Sequence, residues 1–380
     1  MAQLIAEIQT ATEVPVFINT RFQGANLSGV QRYAAELLRR IGARLTPIAP
    51  RQAAQGLKGH LWEQTILPAL ARNGLLWSPA NSGPLAVKRQ VLTVHDVASI
   101  EHPEWYNRAF AAWYRYMTPQ LVRRVQRVIT PSEFSKQRLV ALTGVHESRV
   151  VVIPEGIDSR FCPQPRIEVE RIRQVLKIPS SDYVLTVSTL EPRKNLHRLL
   201  SAWASCVLDI PDKIWLVVAG QTGSSRIFHR SGIDSVPPRV HFTGFVAEND
   251  LTALYSGALA VAYVSLYEGF GLPALEAMAC GTVPVVSGNT ALPEVVGEAG
   301  LLVNPFDSDS IANGIRRISE QTALREDLEI RAIERSKEFS WDRCADLTWD
   351  VIRAELQSVS RTYSKDGDCK APNAGSSAAA

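Results

Sequence analysis

Residues 265 to 286 read Ser265-Leu-Tyr-Glu268-Gly-Phe-Gly-Leu-Pro-Ala-Leu-Glu276-Ala-Met-Ala-Cys-Gly-Thr-Val-Pro-Val-Val286, with two carboxylates eight residues apart around a glycine-rich turn. The apolar run Leu259–Val264 before them predicts a buried strand. Pro273 suits the first turn of a helix, where the missing N–H would be unpaired anyway. We therefore expect Glu268 in the loop at the carboxyl end of a strand and Glu276 in the first turn of the next helix.

The expected position of this turn predicts what it binds. Ligands of open α/β sheets bind at the carboxyl ends of the strands, and the free N–H groups of a helix start favour an anion. A carboxylate beside an anion site is poorly placed for charge pairing, so we expect Glu268 and Glu276 to accept hydrogen bonds from hydroxyl groups. Hydroxyls next to phosphate indicate a sugar nucleotide.

The composition is that of a globular protein large enough for two domains. The 380 residues are 46% apolar and 21% charged, and the net charge of +3 is too small to indicate a nucleic-acid partner. The first residues lack the features of a secretory signal, and no apolar run approaches the roughly 20 residues that span a bilayer. Five scattered cysteines without CxxC spacing favour a reducing, cytoplasmic location over a zinc site or a disulfide framework.

Short β-branched runs alternate with amphipathic stretches of helix length, which predicts an α/β fold of parallel βαβ units. A proline-rich break, Phe161-Cys-Pro-Gln-Pro-Arg166, divides the runs into two series, so we predict two Rossmann-like domains that face a central cleft. The predicted strands are Val14–Ile18, Leu75–Trp77, Val91–His95, Arg127–Thr130 and Val150–Ile153, then Tyr183–Ser188, Ile214–Ala219, Val240–Phe242, Leu259–Val264, Val283–Ser287 and Leu301–Val303.

These two series set the predicted domain boundaries. The N-terminal domain covers 1–163 and the C-terminal domain covers 164–345. A helical pattern from Trp341 to about Val359 predicts a last helix, and residues 346–363 are expected to return to the first domain. Residues 364–380 are poor in apolar bulk and are predicted to be disordered.

The glycine-rich turn also matches a different fingerprint. Gly269-Phe-Gly271-Leu-Pro-Ala274 fits GxGxxA, but a NAD-binding domain would place an acidic residue about 20 positions further on, where Val285-Val-Ser-Gly-Asn-Thr290 has none. The fingerprint also normally follows the first strand of a domain. NAD binding is therefore disfavoured, and the other alternative is a structural turn with two incidental surface glutamates.

Two further segments indicate a phosphate site. Arg193 and Lys194 follow the strand Tyr183–Ser188 at a helix start, where adjacent cations are unfavourable unless an anion such as a diphosphate is bound. The alternative for this pair is a contact with Glu191. Gly29 also stands at a helix start, where its backbone would allow a phosphate to approach closely, and an ordinary N-cap at Ser28 is the alternative.

Two other groups of side chains have a functional and a structural interpretation. His95 and Asp96 follow a predicted strand, where His95 could hydrogen-bond a sugar or an acceptor or serve only the structure. The aromatic stretch from Trp105 to Tyr116, followed by Arg123, Arg124 and Arg127, is typical either of contact with an anionic membrane or of interior packing.

Two acidic pairs resemble metal-binding motifs. Asp307-Ser-Asp309 has the DxD pattern, yet an N-cap at Asp307 explains it better, and Asp366-Gly-Asp368 lies in the predicted tail. We therefore expect no metal.

Taken together, these residues resemble a retaining glycosyltransferase of the large GT4 family with the GT-B fold. The most specific match is Glu268 to Glu276, which fits the E-x7-E motif of that family. Softer matches, to Gly59-His-Leu-Trp-Glu63-Gln and Val94-His-Asp96, resemble bacterial mannosyltransferases of surface polysaccharide assembly. Further segments familiar from the family are Glu191-Pro-Arg-Lys-Asn195, Thr130-Pro-Ser-Glu-Phe-Ser135, Val152-Ile-Pro-Glu-Gly-Ile-Asp158 and Leu292-Pro-Glu-Val-Val-Gly-Glu-Ala-Gly300.

The resemblance implies a role for each matched segment. The second domain would hold the donor, with Glu276 on the ribose and Glu268 orienting the sugar, which His95 would touch from the first domain. One departure is Ser188-Thr189, where many relatives have Gly-Arg, so Arg193 would carry the guanidinium role. The diphosphate would be bound by Arg193, Lys194 and backbone near Gly29, and the base by backbone at Phe245 and Val246. The turn residues Gly269, Phe270, Gly271 and Leu272 would also contact the donor. The acceptor would be bound by His60, Glu63 and Asp96.

The resemblance therefore implies transfer of a hexose, in the first place mannose from GDP-mannose, onto a lipid-linked or growing oligosaccharide. It implies no cofactor, a cytoplasmic enzyme, and peripheral contact with the inner face of the plasma membrane. Two other functions stay open at this point: a non-catalytic nucleotide-sugar binding subunit of an assembly complex, and an NAD-dependent sugar oxidoreductase.

Overall fold

A computed structural model of the chain describes residues 14–24, 29–51, 56–189, 191–220 and 236–367. Within these residues the strands form two separate sheets of six parallel strands each. Parallel strands covered by helices on both faces must be apolar throughout, which agrees with the continuous apolar runs in the sequence. The two-domain α/β architecture predicted from the sequence is confirmed.

The first sheet has the strand order β2-β1-β3-β4-β5-β6. Its helices include one that begins at Gly29 and ends at Ile41, as the amphipathic pattern predicts. The elements of this half are β1 Val16–Asn19, α1 Gly29–Ile41, β2 Thr46–Ile48, α2 Gly56–Thr65, α3 Leu67–Leu70, β3 Leu75–Ser78, β4 Gln90–Thr93, α4 Ala98–Glu101, α5 Arg108–Val122, β5 Arg127–Thr130, α6 Glu133–Thr143 and β6 Val150–Val152.

The second sheet has the strand order β12-β11-β10-β7-β8-β9. Its strands begin and end within two residues of the predicted ranges. The elements of this half are α7 Arg166–Val175, β7 Tyr183–Val187, α8 Leu196–Cys206, β8 Trp215–Ala219, β9 Val240–Gly244, α9 Glu248–Ser256, β10 Ala260–Tyr263, α10 Leu272–Ala279, β11 Val283–Ser287, α11 Leu292–Val296, β12 Leu301–Val303, α12 Ser308–Glu320, α13 Thr322–Ser336 and α14 Trp341–Gly367.

One strand of the first sheet has no counterpart among the predictions. β2 is three residues long, lies at the sheet edge and contains Pro47. Proline removes a ladder donor and is tolerated only at such edges, and two of the three residues are exposed, so neither composition nor alternation indicates a strand.

The last helix, α14, packs against α1 of the first domain. The rings of Trp341 and Tyr33 lie 6.1 Å apart, and Arg40 Nε donates to Asp342 Oδ1 (2.6 Å). The helix begins at Trp341, inside the range 164–345 assigned to the second domain, and continues to Gly367. It therefore includes the first four residues of the predicted disordered tail, and residues 368–380 lie outside the described ranges.

The aromatic stretch before and within α5 faces mainly inward. Tyr106 is buried and Phe110, Trp113 and Tyr114 are partly buried, whereas Tyr116 is 66% exposed. This favours interior packing for most of these rings. None of the described helices is both long enough and apolar enough to cross a bilayer.

Candidate functional site

The predicted phosphate and sugar segments follow neighbouring strands of the second sheet. β7 and β10 pair side by side, and later strands add outward from them in opposite directions, so a topological switch point lies between them. The Arg193 segment follows β7 and the turn with Glu268 follows β10. The side-chain amide of Asn195 donates to Val264 O (2.9 Å), and Leu266 N donates to Arg193 O (2.7 Å). These bonds hold the two loops together.

Glu268 is buried at the centre of a charge cluster. Its Oε1 accepts hydrogen bonds from Lys194 Nζ and the Tyr263 hydroxyl, both at 2.7 Å, and its Oε2 accepts one from Arg193 Nη1 (3.2 Å). Arg193 Nε also donates to Glu191 Oε2 (2.8 Å). Burial opposes the charged carboxylate, but Lys194 and Arg193 outweigh it and lower the pKa of Glu268 to about 2.

This pairing corrects one expectation, and it includes a contact that the sequence offered only as an alternative. The expectation that Glu268 would avoid charge pairing is wrong, because the two cations meant for phosphate lie within hydrogen-bond distance of it. The contact between Arg193 and Glu191, named as an alternative, is present. Burial and the neighbouring Arg193 lower the pKa of Lys194, and Glu268 opposes this. Two cations and two carboxylates leave the cluster with no net charge.

The turn after Glu268 leads into α10 as predicted, with Pro273 in its first turn. Gly271 precedes the helix at φ 115°, a backbone conformation that favours glycine, and a Cβ there would lie 2.5 Å from Leu292 Cδ2. Glu276 is the fifth residue of the helix, so its expected place in the first turn is wrong by one residue. The four turn residues Gly269, Phe270, Gly271 and Leu272 are all buried.

Glu276 is also charge-paired, but with the other domain. Its Oε2 accepts from the Tyr255 hydroxyl (2.8 Å), and its Oε1 accepts from the guanidinium of Arg32 on α1. Arg32 Nη2 also donates to Glu248 Oε1 (2.5 Å), and Glu248 in turn accepts from Arg160. Burial raises the pKa of Glu276, and Arg32 and Tyr255 offset only part of this effect.

Arg32 is the part of this site that sequence reasoning missed. It lies one helical turn after Gly29, in the segment Gly29-Val-Gln-Arg32-Tyr33, and was given no role. Its acidic partners are far away in the sequence, so no local spacing indicates them. The signal that could have indicated Arg32 is its position: it is a basic residue near the start of a helix that was predicted to face the cleft, and therefore the predicted carboxylates.

Gly29 begins α1, so the predicted helix start is present. A Cβ on Gly29 would lie 3.7 Å from Leu272 Cδ1, which places the start of α1 next to the start of α10. Two helix N-termini from different domains therefore meet at one point, and both favour an anion. Residues 25–28 lie outside the described ranges, and so does the alternative N-cap Ser28.

His95 is buried just beyond β4, with both ring nitrogens hydrogen-bonded inside the first domain. Nδ1 contacts Glu155 Oε1 (2.9 Å) and Nε2 contacts Pro79 O (3.0 Å). The Pro79 carbonyl is an acceptor and so is an ionised Glu155, and a protonated ring can donate to both. Burial opposes this charge, but Glu155 raises the pKa of His95. Its predicted contact with the sugar stays a prediction, and the ring in this conformation is committed elsewhere.

The three predicted acceptor residues occupy different surroundings. Glu63 on α2 is fully buried, and its Oε1 accepts from Asn19 Nδ2 (2.6 Å) and Ser82 Oγ (3.1 Å). His60 packs against the ring of Trp113 at 4.9 Å. Asp96 Oδ1 accepts from Ala98 N (3.1 Å) beside the Glu268 turn. The carboxylate of Glu63 is therefore shielded from solvent, and the acceptor roles stay predictions.

Phe245 and Val246, the predicted base-binding pair, directly follow β9. The strand runs to Gly244, two residues beyond its predicted end. Phe245 is 66% exposed whereas Val246 is buried. An exposed ring at the carboxyl edge of the sheet is available to a ligand, although its contact with a base stays a prediction.

Asp307 caps α12, as predicted, because its Oδ1 accepts from Asp309 N (2.9 Å). Across the described ranges, no three His, Cys, Asp or Glu side chains form a group that could hold a metal ion. Asp368 of the second acidic pair lies outside those ranges.

Two family models match most of the two-domain region. Residues 168–335 match glycosyl transferases group 1, and residues 73–161 match glycosyltransferase family 4. The chain is 31% identical over 273 residues to the O-antigen chain mannosyltransferase B of Escherichia coli, which covers 71% of each chain. It is 27% identical over 278 residues to the serotype-specific mannosyltransferase WbdA of Escherichia coli, and it spans about a third of that relative's length (34%).

Solved structures show the same fold. The Anabaena Alr3699/HepE structure in complex with UDP-glucose superposes with a TM-score of 0.67 over 93% of this chain and 100% of its own, at 20% sequence identity. At that identity the likeness concerns the architecture alone. On the family models, the Escherichia coli relative and the paired parallel sheets, the chain belongs to the GT4 glycosyltransferases of the GT-B fold.

Proposed function

We propose that this glycosyltransferase moves mannose from GDP-mannose to a lipid-linked or growing surface oligosaccharide, with retention at the anomeric carbon and without a metal. The observation that carries the proposal is the buried Glu268–Lys194–Arg193 cluster at the switch point of the second sheet. The choice of mannose is supported by the names of the relatives, which are O-antigen mannosyltransferases. The choice of a nucleotide sugar is supported by the UDP-glucose in the Anabaena structure.

Donor binding would rearrange the charge cluster. The diphosphate brings negative charge to a group of side chains with no net charge, so Lys194 and Arg193 would turn from Glu268 towards it. The oxygens that Glu268 then releases can accept hydrogen bonds from sugar hydroxyls. The same two cations and the adjacent starts of α1 and α10 would stabilise the leaving diphosphate, which supplies the electrostatic help that a metal gives in other enzymes.

The nucleotide half would use Glu276 in a similar exchange. Ribose hydroxyls would donate to the Glu276 carboxylate, whose present partners are Tyr255 and Arg32. Arg32 has a second carboxylate, Glu248, and can keep that contact when ribose competes for Glu276. The base would lie against Phe245, at the carboxyl end of β9.

The pKa of Glu268 bears on the mechanism of retention. Before the donor binds, Lys194 and Arg193 hold the pKa of Glu268 at about 2, so the carboxylate is ionised at neutral pH when the sugar arrives. Glu268 would therefore orient the sugar and stabilise positive charge at the anomeric carbon. Deprotonation of the acceptor hydroxyl would fall to an oxygen of the leaving diphosphate, with attack from the same face of the sugar.

A lipid-linked acceptor requires access to a membrane. Four apolar side chains on helices α2 and α3 and at the residue that joins them are exposed, namely Leu57, Leu61, Ile66 and Leu70, and Tyr116 on α5 is exposed as well. We propose peripheral membrane contact through this surface. Flotation with vesicles of anionic lipid tests it, and equal flotation of a variant with Leu57 and Leu61 changed to Ser would contradict it.

The function itself is tested by a donor screen. The protein is incubated with several nucleotide sugars and a polyprenyl-diphosphate acceptor, and both nucleotide release and glycosylated product are measured. We expect GDP-mannose to give product, and Glu268→Ala and Lys194→Ala to lower turnover at least a hundredfold. Lys337→Ala, an exposed lysine paired only at the surface, is the control. Binding without turnover across acceptors would indicate a non-catalytic subunit instead.

A further inference from the structure

Two sequence segments that the proposed function leaves without a role lie in contact across the domains. Thr130-Pro-Ser-Glu-Phe-Ser135 leads from β5 into α6 of the first domain, and Leu292-Pro-Glu-Val-Val-Gly-Glu-Ala-Gly300 contains α11 of the second. We define the α6 contact as the interaction of Ser132, Glu133, Phe134 and Ser135 with the second domain. Ser132 and Ser135 touch the second domain through their hydroxyls, and Glu133 and Phe134 touch it through their backbone amides.

The first part of the α6 contact is a carboxylate held at a helix N-terminus. Glu294 Oε2 accepts from Glu133 N (2.8 Å), and its Oε1 accepts from Phe134 N (2.7 Å). The first amides of an 11-residue helix have no partner within the helix, and the helix dipole favours a negative charge there. The site is solvent-exposed, so the strength of this contact is moderate.

The second part is buried and holds the backbone next to Glu268. Gly269 O accepts from Ser132 Oγ (2.7 Å), and the single hydroxyl proton of Ser135 is shared between Gly269 O and His95 O, both at 3.1 Å from Ser135 Oγ. A Cβ on Gly269 would lie 2.2 Å from His95 O, so the two domains approach here at backbone distance. Only glycine allows this closeness without displacing the first domain.

Further contacts reach Glu268 from both sides. The rings of Phe134 and Tyr267 lie 5.2 Å apart in an edge arrangement, and Tyr267 directly precedes Glu268. On the α11 side, Ala291 N donates to Glu268 O (3.4 Å). The start of α6 therefore contacts the residues before and after Glu268 and also the helix that carries Glu294.

We propose that the α6 contact sets the position of Glu268 when the domains close on the donor, with Ser135 and Glu294 as positioning residues of the transfer reaction. This inference rests on the proposed function for the role of Glu268. Neither side chain touches the reacting groups. Ser135 acts through the Gly269 carbonyl, and Glu294 acts through α11. Both contacts can form only when the turn with Glu268 is correctly placed against the first domain.

A positioning role predicts a particular change in the reaction. A cleft that closes less completely admits water, so the donor is hydrolysed more often before it meets the acceptor. Loss of one buried hydroxyl-to-carbonyl hydrogen bond should lower the transfer kcat by about fivefold to tenfold for Ser135→Ala, and the exposed Glu294→Ala should have a smaller effect of about threefold.

The test compares these variants with matched controls that stay within one domain. Ser336 is a buried serine whose Oγ donates to Ile333 O (2.8 Å) inside its own helix, and Glu298 is an exposed acid in the same segment as Glu294. We expect Ser135→Ala and Glu294→Ala to raise the ratio of donor hydrolysis to transfer and to leave the melting temperature close to that of Ser336→Ala and Glu298→Ala. A ratio within twofold of the wild type in both variants overturns the proposal.

The arrangement of the two domains can be measured independently, without an enzyme assay. Small-angle X-ray scattering of each variant, alone and with GDP, should show a larger radius of gyration for Ser135→Ala than for the wild type and Ser336→Ala. Identical scattering of the variant and the wild type would contradict the role of the α6 contact in holding the domains together, even if no acceptor is found. Conversely, a wild type that transfers no sugar while Ser135→Ala still opens would contradict only the proposed function.

Discussion

The two glutamates at the ends of the Glu268–Glu276 turn are neutralised in different ways. Glu268 is held by Lys194, Arg193 and Tyr263, all from its own domain. Glu276 has two partners: Tyr255 comes from its own domain and Arg32 comes from the other domain. The pKa values move in opposite directions, down for Glu268 and up for Glu276.

This difference separates a site that is complete within one domain from one that depends on both. Two adjacent cations outweigh the burial of Glu268, so its charge does not need the first domain. One guanidinium does not outweigh the burial of Glu276, and that guanidinium belongs to the first domain. In the proposed function, the charge of the sugar end would therefore be supplied by one domain, whereas the ribose end would depend on the approach of the first domain.

The largest expected effect comes from Glu268→Gln. We expect the transfer kcat to fall by about a hundredfold to a thousandfold, because an oriented charge at the reaction centre is lost. The variant should also be less stable, since Lys194 and Arg193 stay buried with less compensation. Steady-state kinetics and thermal unfolding measure both.

A second substitution separates these two consequences. The double variant Glu268→Gln with Lys194→Met removes the excess buried charge, so stability should recover while activity stays low. Recovery of activity together with stability would mean that Glu268 has only a structural role.

The next effect is the pH dependence of stability. The pKa of Glu268 is about 2 in the folded chain, against an ordinary value near 4.5, so its pairing contributes stability above about pH 4.5 that is lost as the pH falls towards 2. The depression corresponds to about 3 kcal/mol. Urea unfolding of the wild type and Glu268→Gln at falling pH should give converging free energies of unfolding. A constant difference down to pH 3 would contradict the low pKa.

Glu276→Gln should act on donor binding more than on the chemical step. Loss of charged hydrogen bonds to the ribose should raise the donor KM by about tenfold to a hundredfold, with kcat little changed. Titration calorimetry with GDP and with its 2′-deoxy analogue sharpens the test. The deoxy analogue should bind the wild type weakly and should lose little further affinity in the variant, whereas additive losses would place the ribose elsewhere.

The smallest effect is expected for Arg32→Gln. Without this cation, burial raises the pKa of Glu276 further, so the rise of the donor KM at acid pH should begin at a higher pH. At pH 8 the KM should differ from the wild type by only about threefold. Arg40→Gln, on the same helix but paired with Asp342, should leave the acid limb unchanged. An acid limb identical to the wild type in Arg32→Gln would remove the difference between the two glutamates.

Local pattern explains what could be predicted. The strands that flank the site are continuous apolar runs, and Pro273 marks the start of α10, so the turn with Glu268 could be placed from the sequence. The helix from Gly29 to Ile41 follows from its amphipathic period. The edge strand Thr46–Ile48 could not be predicted, because it is short, exposed and contains a proline.

Distance in the sequence explains what could not be predicted. Arg32 and Glu276 are 244 residues apart, and Ser132 and Gly269 are 137 apart, so no spacing rule connects them. The contacts of the His95 ring with Glu155 and the Pro79 carbonyl likewise exist only because the fold brings these groups to the ring. Sequence reasoning therefore treated Glu268 as free of ion pairs and left His95 with both a sugar-binding and a structural interpretation.

By itself the sequence determined the fold class, the family resemblance and the turn that carries both glutamates, because apolar periodicity and helix-start residues act over a few neighbouring positions. Only the tertiary structure decided which cations neutralise Glu268 and Glu276, and that the first turn of α6 meets Gly269 and Glu294. The physical reason is that electrostatic and hydrogen-bond energies depend on distances through space and on burial, and the packing of two domains sets both.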